Sequence, residues 1–195
     1  MLKHLAANTR VLIVPGLHGS GAEHWQSRWQ QRYPSFERVV QRRWDLPELD
    51  VWADQVAQVL QRSNQPTVIV AHSFGCLATV RCITRLQRSQ QLLQSSSSPA
   101  SPVVAALLVA PADPVKFGVA DALRQGRLPF PSTLVGSTND PWMSANAAAA
   151  WAGQWGSHFV NAGALGHINA ESGLGDWPEG MALLANLSRD VEQAA

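Results

Sequence analysis

The chain has 195 residues, 46% of them apolar and 15% charged, with a formal net charge of +1. That length suits one domain, 1–195, able to bury about 70% of its unfolded surface, and the composition excludes a disordered chain. Near-neutral charge gives no electrostatic basis for binding nucleic acid, and no stretch approaches the ~20 apolar residues of a membrane span.

The N-terminal stretch MLKHLAANTR carries no apolar run of signal-peptide length before the first strand, at residues 11–14. A glycine-rich turn follows, VPGLHGSGAEHW (14–25), which leads into a helix at 23–31. It lacks the Lys-Ser/Thr of a P-loop and the spacing of a dinucleotide fingerprint, so it is not read as a phosphate cradle. The next elements are a strand at 37–41, locally basic (RVVQRRW, 38–44), and a helix at 51–61. A third strand at 67–71 runs directly into a helix at 74–86 carrying the two cysteines, Cys76 and Cys82. Six residues apart on one helix they face away from each other, so a disulfide is not expected. Without a Cys/His cluster at ligand spacing neither a metal nor a redox cofactor is expected, and the setting read from these features is cytoplasmic.

The stretch at 87–102, QRSQQLLQSSSSPASP, reads as a flexible surface loop, because its Gln, Ser and Pro content offers little apolar surface to bury. Beyond it come strands at 103–109, 133–136 and 158–161 and helices at 146–155 and 179–192. Several strands are continuous Val, Ile and Leu, as in a parallel sheet covered on both faces. Alternation of strand and helix then predicts an α/β fold: a single doubly wound, mostly parallel sheet of about six strands, without a large cap.

The junction TVIVAHSFGCLA (67–78) has the form of a nucleophile elbow, strand to small-x-Ser-x-Gly to helix. The turn demands small residues two before and two after Ser73; Gly75 meets this, and Ala71 stands where glycine is usual. A helix-capping role for Ser73 is the competing explanation. A serine hydroxyl needs a general base, and that base an orienting carboxylate. In such folds the order is Ser, then acid, then His, each at a strand's carboxyl end. Asp140 follows the strand TLVGS, and His167 follows HFVNAGALG, in that order. Asp113, in APADP after the fourth strand, is the competing acid, and Asp140 could instead serve only as a turn former before Pro141. Among other histidines, His72 adjoins the serine and should point away, His158 opens a strand, and His4 lies near the N-terminus. The oxyanion donors expected are the N–H groups of Phe74, at a helix start, and Leu17, between Gly16 and Gly19.

Taken together, VPGLHGSGAEHWQSRWQ, VAHSFGCLA, GSTNDPW and GALGHINAESGLGDWPEG resemble the small lidless α/β-hydrolases of the bacterial YdeN type, relatives of the vertebrate retinoblastoma-binding serine hydrolase. The resemblance spans roughly residues 11–184. It implies a catalytic triad of Ser73, Asp140 and His167, and that a small residue other than glycine is acceptable at position 71. The 87–102 stretch is longer than the resemblance leads one to expect.

Eight tryptophans is a high count, and Trp25, Trp142 and Trp177 fall near the motifs. Most tryptophans are packing residues; Trp142, two after Asp140, and His18, in the glycine-rich turn, are the candidates for touching substrate. His18 could instead cap the following helix. The expectation is a serine esterase for small acyl substrates that needs no cofactor. The alternatives are an amidase or thioesterase with the same residues, or a protein-interaction module on the same scaffold.

Overall fold

The computed structural model describes residues 9–93 and 102–194. In chain order the elements are β1 (Arg10–Val14), α1 (Trp25–Arg32), β2 (Glu37–Arg38), α2 (Leu49–Leu60), β3 (Thr67–His72), α3 (Phe74–Leu93), β4 (Val103–Val109), α4 (Ala120–Leu123), β5 (Ser132–Gly136), α5 (Ala145–Trp155), β6 (His158–Asn161) and α6 (Pro178–Ala194). The six strands form one sheet in the order β2-β1-β3-β4-β5-β6, and every pair is parallel.

Side chains of successive strand residues point to opposite faces, and each face has its own core. Leu12, Val14, Ile69, Ala71, Ala106, Leu108 and Leu134 point to one side, where α2, α3 and α5 pack through Trp52, Leu77 and Trp155. Val11, Ile13, Val68, Val70, Leu107 and Val109 point to the other, against Trp25 and Trp29 of α1 and Met181, Leu184 and Leu187 of α6. Because both faces are covered, the strands carry no polar alternation.

From β1 the chain moves outward to β2 through α1, then returns past β1 to β3 through α2 on the opposite face. The carboxyl ends of the neighbours β1 and β3 are therefore where the connections diverge. In open parallel sheets this crevice is where ligands bind.

Three expectations change. β2 was expected at 37–41 and is two residues long, an edge strand pairing Leu12 with Glu37 and Ile13 with Arg38. The short α4, not anticipated, buries Leu123. The loop expected at 87–102 is helical through its first seven residues, since α3 continues to Leu93. Gln, Arg and Leu are good helix formers, and extending a helix already nucleated and packed at its N-terminal half fixes few further dihedrals per bond gained. Residues 94–101 of that stretch lie outside the described residues.

Candidate active site

The serine sits where β3 meets α3. Ser73 has φ of 52°, in the left-handed region, a conformation costing ~1–3 kcal/mol that only a strongly constrained site retains. The constraint is visible in two glycines. A Cβ on Gly75 would lie 2.4 Å from the Val14 carbonyl oxygen and 2.5 Å from that of Pro15, so only glycine lets α3 start this close to the end of β1. A Cβ on Gly16 would lie 2.6 Å from Ser73 Cβ and 3.2 Å from its Oγ, so the loop after β1 runs directly across the serine. Ala71, fully buried between Val14 and Leu108, adds its methyl to the α2/α3 side of the core.

From the carboxyl ends of β5 and β6 two more side chains reach the same place. His167 Nε2 is 2.9 Å from Ser73 Oγ, and His167 Nδ1 is 2.9 Å and 3.1 Å from Asp140 Oδ2 and Oδ1. The carboxylate requires a proton on Nδ1, which leaves the Nε2 lone pair to accept from the serine hydroxyl. The side chains of His167 and Asp140 are only 10% and 3% exposed, so the pair is shielded from water on most sides. Asp140 also forms the turn before Pro141, its Oδ1 accepting the Trp142 N–H at 2.9 Å. Asp113 instead accepts the N–H of Val115 and makes no bond to His167. His158 is exposed on the edge strand, and His4 lies outside the described residues.

Two backbone N–H groups border the serine. Phe74 opens α3, and Leu17 follows Gly16; among the described residues neither amide has a hydrogen-bond partner. His18, exposed and at φ of 62°, bonds through its N–H to the Trp44 carbonyl; the cap of α1 is His24. A cavity of about 440 Å³ opens over the serine, with Leu17, His18, Ala112, Phe117 and Trp142 on its walls. Trp142, 57% exposed, stands at its rim with its ring centroid 6.4 Å from that of His167. Trp25 and Trp177, by contrast, are buried packing partners, 5.0 Å apart. Among the described residues no group of three or more His, Cys, Asp or Glu is placed to hold a metal. Burial raises both thiols, that of Cys82 to about 12, which removes them as rival nucleophiles.

Other polar groups, whose partners the sequence does not reveal, hold the loops that carry Asp140 and His167. Ser137 Oγ accepts the Leu165 N–H at 3.0 Å and Asn139 Oδ1 accepts the Gly166 N–H at 2.7 Å, stitching the loop after β5 to the loop after β6. Ser172 Oγ donates to the Leu165 carbonyl and Trp25 Nε1 to the Ile168 carbonyl. His72 was expected to point away from the serine. It is not placed as a base, but its ring lies edge-on to that of His167 at 5.0 Å, with Nε2 2.9 Å from the His167 carbonyl oxygen. Burial holds its pKa well below the ordinary 6.5, and lowers that of its neighbour His24 to about 4 with a further contribution from Arg38. Of these, Ser137, Asn139 and His72 stand within three residues of Asp140 or Ser73 in the sequence; Ser172 and the indole N–H of Trp25 had no such signal.

The sequence model of the serine hydrolase family matches residues 11–186. The chain belongs to that family. A solved structure of a YdeN-like hydrolase from Pectobacterium atrosepticum is 35% identical, covering 97% of this chain and 96% of its own, with a TM-score of 0.86. YdeN of B. subtilis, 17% identical over 92% of this chain and 98% of its own, has a TM-score of 0.69. The RedJ thioesterase of the prodiginine pathway in Streptomyces coelicolor, 16% identical over 95% of this chain and 88% of its own, shares the fold at a TM-score of 0.61. No curated protein sequence is detectably similar. This serine hydrolase is therefore a YdeN-like enzyme with a lidless α/β-hydrolase fold, and no helix among its described residues is long and apolar enough to cross a membrane.

Proposed function

We propose that this hydrolase cleaves small acyl esters through an acyl-enzyme on Ser73. The observation that supports it is the unbroken line from hydroxyl to imidazole to carboxylate, with 2.9 Å at each link. Ser73 Oγ attacks the ester carbonyl while its proton passes to His167 Nε2; Asp140 keeps the tautomer that makes this transfer possible and stabilises the imidazolium. The carbonyl oxygen, now an anion, takes hydrogen bonds from the Leu17 and Phe74 amides, helped by the positive end of α3. Collapse breaks the bond to the leaving alcohol, which takes the proton from His167. A water then repeats the sequence on the acyl-enzyme, releasing the acid and restoring the serine. His18 and Trp142 line the entrance and touch the substrate, and no step calls for a cofactor.

The cavity, about 440 Å³ and open to solvent, has room for a small acyl ester. Hydrolysis of a short p-nitrophenyl ester tests the reading: Ser73→Ala should remove turnover, and equal turnover by that variant would refute it. A thioester passes through the same steps, and the shared fold of the RedJ thioesterase makes matched ester and thioester pairs the natural substrate panel.

A further inference from the structure

The geometry points to His72 as a positioning residue: its buried imidazole latches the peptide plane between His167 and Ile168, and so sets the direction in which the base presents Nε2 to the serine. The inference rests on the reading of His167 as general base. A carbonyl oxygen can only accept, so the 2.9 Å contact from His72 Nε2 to the His167 carbonyl means that Nε2 carries the proton and donates it there.

What makes this bond more than packing is the next residue. Ile168 has φ of 47° and is fully buried; a β-branched side chain in the left-handed region is a strained outlier. The strain could be relieved by counter-rotating ψ of residue 167 against φ of residue 168, which turns the peptide plane between them. That plane is held at both edges, the carbonyl by His72 and the Ile168 N–H by the Leu165 carbonyl at 3.2 Å. Trp25 Nε1 fixes the next carbonyl, that of Ile168, at 2.8 Å. Releasing the carbonyl at 167 lets the strained residue relax, and whatever part of the rotation of φ at 168 is not cancelled by ψ at 167 turns the backbone from which the imidazole projects. Since His72 is also the last residue of β3, the latch ties the base directly to the strand that delivers Ser73.

The test compares His72→Phe, which keeps a planar ring and loses the donor, with His72→Gln, whose terminal amide nitrogen reaches about as far as Nε2. Steady-state hydrolysis of a short p-nitrophenyl ester is measured alongside thermal unfolding. In His72→Phe kcat should fall about 10- to 100-fold, the range expected for a misplaced catalytic group, with KM changed less than about threefold. His72→Gln should recover to within about fivefold of the parent. If His72→Phe fails to fold, His72→Asn serves instead, since its shorter amide cannot reach the carbonyl; it should be impaired where His72→Gln is not. A folded His72→Phe with parental kcat, or equal impairment of the reaching and non-reaching variants, overturns the latch. Ser73→Ala run in parallel separates the two ideas. Turnover surviving in Ser73→Ala defeats the triad reading, whereas an inactive Ser73→Ala beside a fully active His72→Phe defeats only the latch.

Discussion

The two halves of the site are built by different physics. On the nucleophile side, around β1 and β3, position is enforced by the shape of the backbone. Gly16 and Gly75 allow contacts that no other residue permits, and they leave Ser73 in a left-handed conformation with nowhere to relax. On the side of Asp140 and His167, after β5 and β6, the backbone is less tightly wedged: a Cβ at Gly163, Gly173 or Gly175 would meet nothing within 4 Å. Side-chain hydrogen bonds hold it instead: Ser137 and Asn139 from one loop, Ser172, Trp25 and His72 from elsewhere. Steric constraint tolerates almost no change at a few positions. Hydrogen-bond constraint is spread over many positions, each worth about 1 kcal/mol and each reparable by a substitute that offers the same donor or acceptor.

That contrast can be broken at several points. The largest effect is expected for Asp140→Asn, where the amide can still accept the Trp142 N–H but offers its NH₂ to Nδ1 in the wrong tautomer. kcat should fall on the order of 10⁴-fold with the melting temperature nearly unchanged, as measured by ester hydrolysis and calorimetry. Next is Gly75→Ala, whose methyl would press on two backbone oxygens and separate β1 from α3. Activity should drop at least 10²-fold and the melting temperature should fall by several degrees, while Gly153→Ala on α5, where nothing lies within 4 Å of the added methyl, should be neutral or slightly stabilising.

A third prediction concerns the seam between the halves, where His24 and His72 pack with ring centroids 4.7 Å apart. Both are held neutral by burial. His24 binds a proton near pH 6.5 in the unfolded chain and only near pH 4 in the folded one, so folding carries no penalty above pH 6.5 and loses stability as pH falls from there to about 4; His72 adds a loss of the same sign. From His24 alone the loss approaches ~3 kcal/mol. Melting temperature measured from pH 7 to pH 4 should decline, and His24→Gln should flatten the decline. The smallest expected effect is that of Asn139→Ala, which frees the Gly166 N–H: roughly 1–2 kcal/mol of stability and about a tenfold loss in kcat, with Asn139→Asp retaining the acceptor and most of the rate.

The same contrast explains what could be read from the sequence. Small residues around a serine, and a carboxylate and a histidine placed where apolar strands stop, are local patterns; Ser73, Asp140 and His167 carry them, and the structure joins these three residues by hydrogen bonds. The sheet was legible for a similar reason, since doubly covered strands are continuous Val, Ile and Leu. The hydrogen bonds of Asn139, Ser137, Trp25 and Ser172 were not legible, because a polar side chain that satisfies a backbone group 7 to 143 residues away in the chain has no local signature. His72 was judged on its nearness to Ser73 alone, and its partner 95 residues away lay beyond that view. The helical continuation at 87–93 was missed because composition was weighed without the packed helix that precedes it.

The account stands on Ser73 being activated by His167, and intact-mass and peptide mass spectrometry after treatment with a fluorophosphonate probe tests that most directly. One probe adduct should appear on Ser73 of the parent protein and be nearly abolished in a folded His167→Ala variant. An untouched Ser73 in the folded parent, or labelling that proceeds equally without the imidazole, would contradict it.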